Sequence, residues 1–472
     1  ALCPMLTEGT VVALEQHASG EMKDRFLGKL ISGEWTGTMN LTEPQAGSDL
    51  AAVKTRAEPK GDHYLLFGQK IFITWGDHDF TDNIIHMVLA RLPDAPPGVK
   101  GISLFLVPKF LINPDGTCGK HNDVYPVSVE HKLGIHGSPT CVMSYGDSGG
   151  AVGYLVGAPN NGLALMFTMM NHARIAVGVQ GLSISERAYQ KARSYARERV
   201  QGQVPGGNGR VTIIHHADVR RMLMLMKSGI EAMRALCYVT AASLDLGHHA
   251  ADAAAQTRHH DRFALLTPVV KGWCSELAQE ITYLGVQVHG GMGFIEETGA
   301  AQHYRDARIL TIYEGTTGIQ ANDLIGRKLL RDNGKAMAEL VKDMRAVAAA
   351  AGKSTAADIQ IIGIQLGAGI TALEQAVEWL LAHGEQNAAV PGSAAVNMVM
   401  LVGTVSGGWQ LARAALIARS RLDAGTQDSD YLNGKIKTAR FYAEHFLPRA
   451  QSYSQAIRAG AEAIMALTET QF

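Results

Sequence analysis

The period of apolar and polar positions changes twice along the chain, and each change marks a new kind of element. Between residues 5 and 32, Leu6, Val11, Leu14, Phe26, Leu27, Leu30 and Ile31 recur at mixed spacing and predict helix. From Trp35 the pattern becomes short apolar runs broken by Gly, Pro and Asp: HYLLFGQKIFIT, NIIHMVLARL, GISLFLVPKF and CVMSYGD. Runs this short, rich in Ile, Val and Phe, predict a β domain of roughly six to eight strands. From Gly162 the period lengthens. Residues 162–200, 215–249, 258–289 and 318–332 read as helices, with GQVPGGNGR (202–210) as a loop between two of them. Several are apolar on more than one face, as helices of a packed bundle are. Past Arg331 a loop, RDNGK, opens a further helical region. Ile361, Ile362, Leu366, Ile370, Leu373, Val377, Leu380 and Leu381 make one stripe; AAVPGS breaks it, and helices around 394–421 and 431–467 follow. The fold class is therefore α+β and multi-domain. It comprises the end of a helical region (1–34), a central β domain (35–157), an α-helical bundle (158–332) and an additional C-terminal helical domain (333–472).

Composition narrows what such a chain does. At 472 residues it is long enough for two or three domains with their own cores, and 46% hydrophobic with 18% charged residues describes an ordinary globular protein. The net charge of −1 gives neither nucleic acid nor an anionic membrane a reason to bind. From Lys335 onward twelve Lys and Arg face twelve Asp and Glu, which makes the C-terminal region a packing module and not a charged arm. Cys3, Cys118, Cys141, Cys237 and Cys274 are odd in number and form no CxxC, so reduced thiols in a cytoplasmic protein are expected. The pairs His215–His216, His248–His249 and His259–His260 hold adjacent residues, which point about 100° apart on a helix; no metal site is expected. The stretch from Gln386 to Ala412 has no charged residue. Pro391, Asn397, Thr404 and Gln410 interrupt it, which predicts a loop and a buried helix, not a membrane span. ALCPMLTEGT shows no signal peptide, and its start at Ala leads us to expect further residues upstream.

Three stretches carry chemistry. Residues 303–329, HYRDARILTIYEGTTGIQANDLIGRKL, place Arg305 and Arg308 ahead of an apolar run, Ile309 to Tyr313, and then one carboxylate, Glu314. A carboxylate between an apolar wall and Gly315 is partly desolvated, which raises its pKa toward that of a working general base. Thr316 or Thr317 can cap the helix that follows, leaving free N–H groups for an anion. The second stretch, MNLTEPQAGSDL (39–50), ends a strand at Leu41 and turns through Pro44 and Gly47, with hydroxyls at Thr42 and Ser48 for an oxygen-rich ligand. The third, GQKIFITWGDH (68–78), carries Phe72 and Thr74 two apart, on one side of a strand by simple alternation, where they can flank a flat ring.

LTEPQAGSD, KIFIT, VQVHGGMGF (286–294) and RDARILTIYEGTTGIQ, in that order and spacing, resemble the acyl-CoA dehydrogenase family of FAD flavoproteins over roughly residues 1–330. The extra C-terminal domain and the phrases ITWGDHD, FTMMNHAR and IQANDLIGRKLL resemble its 3-methylmercaptopropionyl-CoA dehydrogenase-like branch. The resemblance implies α,β-dehydrogenation of an acyl-CoA to the trans-2-enoyl-CoA. Glu314 would abstract the α proton while flavin N5 takes the β hydride. The enolate oxygen would be held by the backbone N–H of the base and a ribityl hydroxyl.

Carried over residue by residue, Leu41, Thr42, Gly47 and Ser48 match the flavin-edge loop, and Phe72 and Thr74 the strand beside the ring. Arg199 matches an arginine that reaches a neighbour's FAD pyrophosphate, Gln287, Gly290 and Gly291 the adenosine contacts, and Thr316 and Gly318 the diphosphate loop. Ser48, Asn171, Arg174, Tyr313 and Gly315 match substrate contacts, with a solvated helix face as the plainer reading of Arg174 and Arg199. Asn171 stands where many relatives have Asp, Phe72 where many have Trp, and His216, a candidate FAD contact, where Gln is common. The substrate is then 3-methylmercaptopropionyl-CoA, as in dimethylsulfoniopropionate degradation, or a short to long fatty acyl-CoA of β-oxidation. Electron-transfer flavoprotein is the expected acceptor, and a dimer or tetramer the expected assembly. An acyl-CoA oxidase and a DNA-associated flavoprotein of the same fold are the alternatives; the neutral C-terminal region speaks against the second.

Overall fold

The computed structural model describes residues 2–425 and 427–472, in two compact units, 1–173 and 174–472. The first unit opens with helix Leu2–His17. The expected single helix over 5–32 is broken after His17, because Ser19 caps a new turn by accepting from the Met22 N–H at 3.3 Å; a π turn, Lys23–Leu27, and helix Gly28–Ser32 follow.

Ten strands follow: β1 (Trp35–Asn40), β2 (Arg56–Lys60), β3 (His63–Thr74), β4 (Asn83–Arg91), β5 (Ile102–Pro108), β6 (Phe110–Ile112), β7 (Cys118–His121), β8 (Val124–Val129), β9 (Thr140–Tyr145) and β10 (Ala151–Val156). Eight form one sheet, ordered β1-β4-β5-β10-β3-β9-β8 with β2 against β3 and β4, while β6 and β7 pair separately. The count exceeds six to eight because β2, β6 and β7 are short, and two of them carry too few apolar residues to stand out in sequence. One sheet face packs Met39, Met87, Leu89, Leu104 and Leu106 against Leu6, Leu14, Met166 and Met169. The other buries Leu66, Ile73, Val88, Phe105, Met143 and Tyr145. Between them Tyr145 donates to Asn40 (2.8 Å), Asn40 donates to Thr38 (2.8 Å), and Thr38 bonds His86 Nδ1 (2.7 Å), which pins the end of β1.

The boundary between units falls inside helix Gly162–Glu198. In the second unit, helices Ala217–His249 and Ala253–His289 pair along their length. After Ala300–Ala307 and Thr317–Asn322, a π-helix, Asp323–Leu330, precedes helices Lys335–Gly352, Ala357–His383, Ala389–Asp423, Ser429–His445 and Arg449–Arg458. The expected helix over 431–467 is interrupted at Phe446–Pro448, since proline has no N–H to continue the hydrogen-bond ladder.

One core joins Met233, Leu236, Trp273, Leu277 and Ile325 to Leu373, Val399, Val402 and Tyr442, so the bundle and the later helices bury the same apolar surface. Pro391 occupies the first turn of Ala389–Asp423, where its missing N–H leaves no bond unmade, so the helix starts earlier than expected. This helix and Gly162–Glu198 are each long and apolar enough to cross a membrane. The most apolar window of Ala389–Asp423 is 61% buried within the protein, as core helices are. Arg449 clamps Glu280 with two 2.7 Å bonds and Lys435 reaches Glu231 at 3.0 Å, tying the last helices to the bundle.

Candidate active site

Glu314 lies in the loop between the 3-10 turn Arg308–Thr311 and helix Thr317–Asn322. The N-cap of that helix is Thr316, whose hydroxyl accepts from the Ile319 N–H at 3.2 Å. Glu314 and Gly315 both have left-handed backbone, at φ 54° and 87°. For a glutamate this conformation costs on the order of 1–3 kcal/mol, so neighbouring groups must hold it. Gln320 Nε2 sits 3.3 Å from both the Glu314 and Gly315 carbonyls, and Lys271 Nζ donates to the Gly315 carbonyl at 2.5 Å. The left-handed conformation of Gly315 favours glycine, and a Cβ there would fall 2.5 Å from Gln320 Nε2 and displace the amide that holds the loop. Thr317 donates to Glu276 at 2.5 Å, and Tyr313 donates its hydroxyl to Gln180.

Of the charges around the loop, Lys271 and Arg174 are buried and Glu314 and Glu276 half-buried. Burial pushes the Glu314 carboxyl up to about 7, against the pull of Lys271 and Arg174. Burial likewise lowers the Lys271 ammonium to about 8, with Glu314 and then Glu276 opposing it. Arg174 is 3% exposed and bonds Asp323 at 3.2 Å, which replaces the solvated-face reading with an inward-facing cation. A carboxylate that titrates near neutrality on a rigid, strained loop can take a proton from a weak carbon acid and release it again.

In the first unit the loop after β1 is built around a buried ion pair. Lys70, on β3, donates to the Leu41 carbonyl (3.0 Å) and to Glu43 (2.8 Å). Glu43 also accepts from the Thr55 hydroxyl (2.5 Å), the Lys54 N–H (2.7 Å) and Gln45 (2.6 Å). Although burial pushes the Glu43 carboxyl up, Lys70 and these donors hold it below the ordinary range. The Ile71 N–H reaches the Thr42 carbonyl at 2.9 Å, so Leu41 and Thr42 lie beside the end of β3. Gly47 and Ser48 face outward. Simple alternation does not describe Phe72 and Thr74, however. A bulge between Lys70 and Ile73 and a left-handed Phe72 (φ 60°) turn that ring outward, 59% exposed.

The remaining predicted residues sit elsewhere. Arg199 bonds Gln201 at 3.4 Å and His216 Nε2 meets the Gln201 carbonyl at 2.7 Å. Tyr195, one turn before Arg199, stacks on His289 at 4.6 Å and so brings that end of its helix beside Gln287, Gly290 (φ 58°) and Gly291. Gly318 lies in the first turn after Thr316, and Asn171 one turn before Arg174 on helix Gly162–Glu198. Among the described residues no group of three or more His, Cys, Asp or Glu is placed to hold a metal. Lys271, Gln320, Glu276, Glu43 and Lys70 were not singled out from sequence. Lys271 did leave a signal: it is the one charged residue in LLTPVVKGWC, inside a bundle helix.

Three family models match the chain: acyl-CoA dehydrogenase, middle domain, over 38–148; acyl-CoA dehydrogenase, C-terminal domain, over 160–330; and acetyl-CoA dehydrogenase C-terminal like, over 338–468. The chain is 50% identical to 3-methylmercaptopropionyl-CoA dehydrogenase of Ruegeria pomeroyi, over 94% of this chain and 75% of that protein. It is 38% identical to a butyryl-CoA dehydrogenase of Syntrophomonas wolfei, over 94% and 74%. The fold matches an acyl-CoA dehydrogenase of Bacillus anthracis complexed with FAD, with TM-score 0.75 and 21% identity over 94% and 72%. Across its β domain, its helical bundle and its C-terminal helices, the chain belongs to the acyl-CoA dehydrogenase family.

Proposed function

We propose that this chain dehydrogenates an acyl-CoA thioester to the trans-2-enoyl-CoA, with Glu314 as the base that takes the α proton. The observation that carries the assignment is the Glu314 loop itself: a strained carboxylate, raised to about 7, whose flanking carbonyls are both held from behind. FAD-dependent acyl-CoA dehydrogenation is the chemistry of the family, and the residues present fit the cofactor. The outward Phe72 ring offers a face for a flat heterocycle, and Gly290 and Gly291 leave open space where a Cβ would stand.

Leu41, Thr42, Gly47, Ser48, Phe72 and Thr74 would hold the flavin ring end; Thr316, Gly318, Arg199, His216, Gln287, Gly290 and Gly291 would hold the diphosphate and adenosine. When bound, FAD supplies the acceptor for the hydride that leaves the β carbon. The chain's own work is then to place the thioester, exclude water and move one proton at the Glu314 carboxylate. Ser48, Asn171, Tyr313 and Gly315 are the proposed substrate contacts, and Arg174 enters through its charge on Glu314.

For the acyl group we propose 3-methylmercaptopropionyl-CoA, on the strength of the 50% identity over 94% of the chain. Anaerobic bleaching of the bound flavin by a panel from methylthiopropionyl-CoA to palmitoyl-CoA tests both parts. Fastest bleaching by the methylthio thioester supports them, and preference for a long alkyl chain contradicts the substrate. Glu314→Gln is expected to keep FAD and to slow bleaching by at least about 10²-fold. Electron-transfer flavoprotein as acceptor, and a cytoplasmic homo-oligomer, complete the proposal on family membership. Turnover with added electron-transfer flavoprotein, light scattering and cell fractionation check these three.

A further inference from the structure

Lys271 is fully buried on helix Ala253–His289 and has no place in the proposed chemistry so far. A buried ammonium is costly unless anions and acceptors surround it. It donates to the Gly315 carbonyl at 2.5 Å, and the carboxylates acting on it are Glu314 and Glu276. Glu276 accepts the Thr317 hydroxyl, so the same helix grips the loop on both sides of Thr316. Gln320 holds the carbonyls of Glu314 and Gly315 from the following helix. The helix that bears Lys271 is fixed from behind: a Cβ at Gly272 would meet Val399 at 2.8 Å, and one at Gly403 would meet Trp273 at 2.1 Å. The backbone next to Lys271 is therefore packed closely against helix Ala389–Asp423.

We propose that Lys271 is a positioning residue for the base: its ammonium fixes the Gly315 peptide and so holds the Glu314 carboxylate in its left-handed, ionisable state. The inference rests on the assignment of Glu314 as base. The charged and titratable groups around that carboxylate are Lys271 and Glu276 from helix Ala253–His289 and Arg174 from helix Gly162–Glu198. Asp323, with Arg327 at 3.7 Å, adds to them from the π-helix, and Tyr313 from the loop itself. Of these, Lys271 and Arg174 favour the ionised form, and Lys271 also donates to the loop backbone.

Two variants separate charge from hydrogen bonding, since Lys271→Met removes both and Lys271→Gln keeps a donor. In the FAD-loaded wild type, the rate of flavin reduction by acyl-CoA is expected to rise with pH through a limb near 7, where the Glu314 carboxyl loses its proton. Both variants should move that limb upward by about one pH unit, roughly tenfold slower reduction at pH 6, with recovery at high pH. A uniform loss at every pH, or an unmoved limb, overturns the proposal. An activity-independent arm is a double-mutant cycle of Lys271→Met with Glu314→Gln, read as denaturation midpoints. Non-additive shifts at pH 8 that vanish at pH 5, where the folded protein holds Glu314 protonated, support the coupling; additive shifts at both pH values overturn it. Coupling without any flavin reduction by the wild type would leave the Lys271 contact standing and remove the base assignment instead.

Discussion

At the residue scale the account turns on one backbone conformation. Glu314 and Gly315 are left-handed together, and only the second is a residue that adopts this freely. Gly315→Ala would put a methyl 2.5 Å from Gln320 Nε2 and strain the second half of the turn. The expected result is a folded, FAD-containing protein whose reduction rate falls on the order of 10²-fold, read by stopped flow, because a displacement near 1 Å at the base has that effect.

The same carboxyl makes stability depend on pH. Its folded value is raised from 4.5 to about 7, so the folded state holds its proton longer than the unfolded chain does. That contribution is complete below 4.5 and is lost as pH rises through 7. Denaturation midpoints of Glu314→Gln should therefore lack a decline between pH 4.5 and 7 that the wild type shows. Glu314 itself was legible in sequence, from an apolar run ending in one carboxylate and a glycine. Lys271 was not read, because a single lysine in an apolar helix is ordinarily a side chain whose head reaches solvent.

At the scale of elements, the loop after β1 and the Glu314 loop each receive one buried lysine. Lys70 joins the Leu41 carbonyl to Glu43, and both side chains are buried. Lys70→Met leaves Glu43 without its cation and is expected to destabilise the protein by about 3–5 kcal/mol, as a change in denaturant midpoint. A loss below about 1 kcal/mol would mean that the four donors from Gln45, Lys54 and Thr55 satisfy Glu43 unaided.

Helix Ala389–Asp423 offers a second test. Gly403 lies against Trp273, two residues from Lys271, and Gly403→Ala would overpack that contact. We expect a cost of about 1–3 kcal/mol in thermal denaturation and slower flavin reduction; a change confined to stability would mean that the wall does not reach the loop. Strands β2 and β7 carry too few apolar residues to show, whereas the long helices and the apolar strands were legible, because strand and helix periods differ. The breaks were not: Ser19 acts through a cap, Phe72 through a bulge and Pro448 through a missing donor, and none of these alters the apolar period.

At the scale of the whole molecule, sequence suggests an additional C-terminal helical domain over 333–472. Physically, its helices share one core with the bundle. A chain ending at Leu330 would uncover Trp273, Leu277 and Ile325, and limited proteolysis is expected to cut within Ala217–His289 where the full chain resists. The clamps Arg449–Glu280 and Lys435–Glu231 are secondary to that apolar surface, since partly exposed ion pairs contribute at most about 1 kcal/mol. The family's order of domains was visible from four motifs, whereas the fusion of the last two regions into one core was not, because sequence does not say which apolar faces meet.

The most direct measurement of the central claim is anaerobic flavin reduction by methylthiopropionyl-CoA, followed from pH 5.5 to 9 in the wild type and in Glu314→Gln. We predict a wild-type rate that rises through a limb near 7, and in the variant a retained flavin spectrum with reduction at least about 10²-fold slower and without that limb. A variant that reduces its flavin at the wild-type rate would show that the α proton is taken by another group.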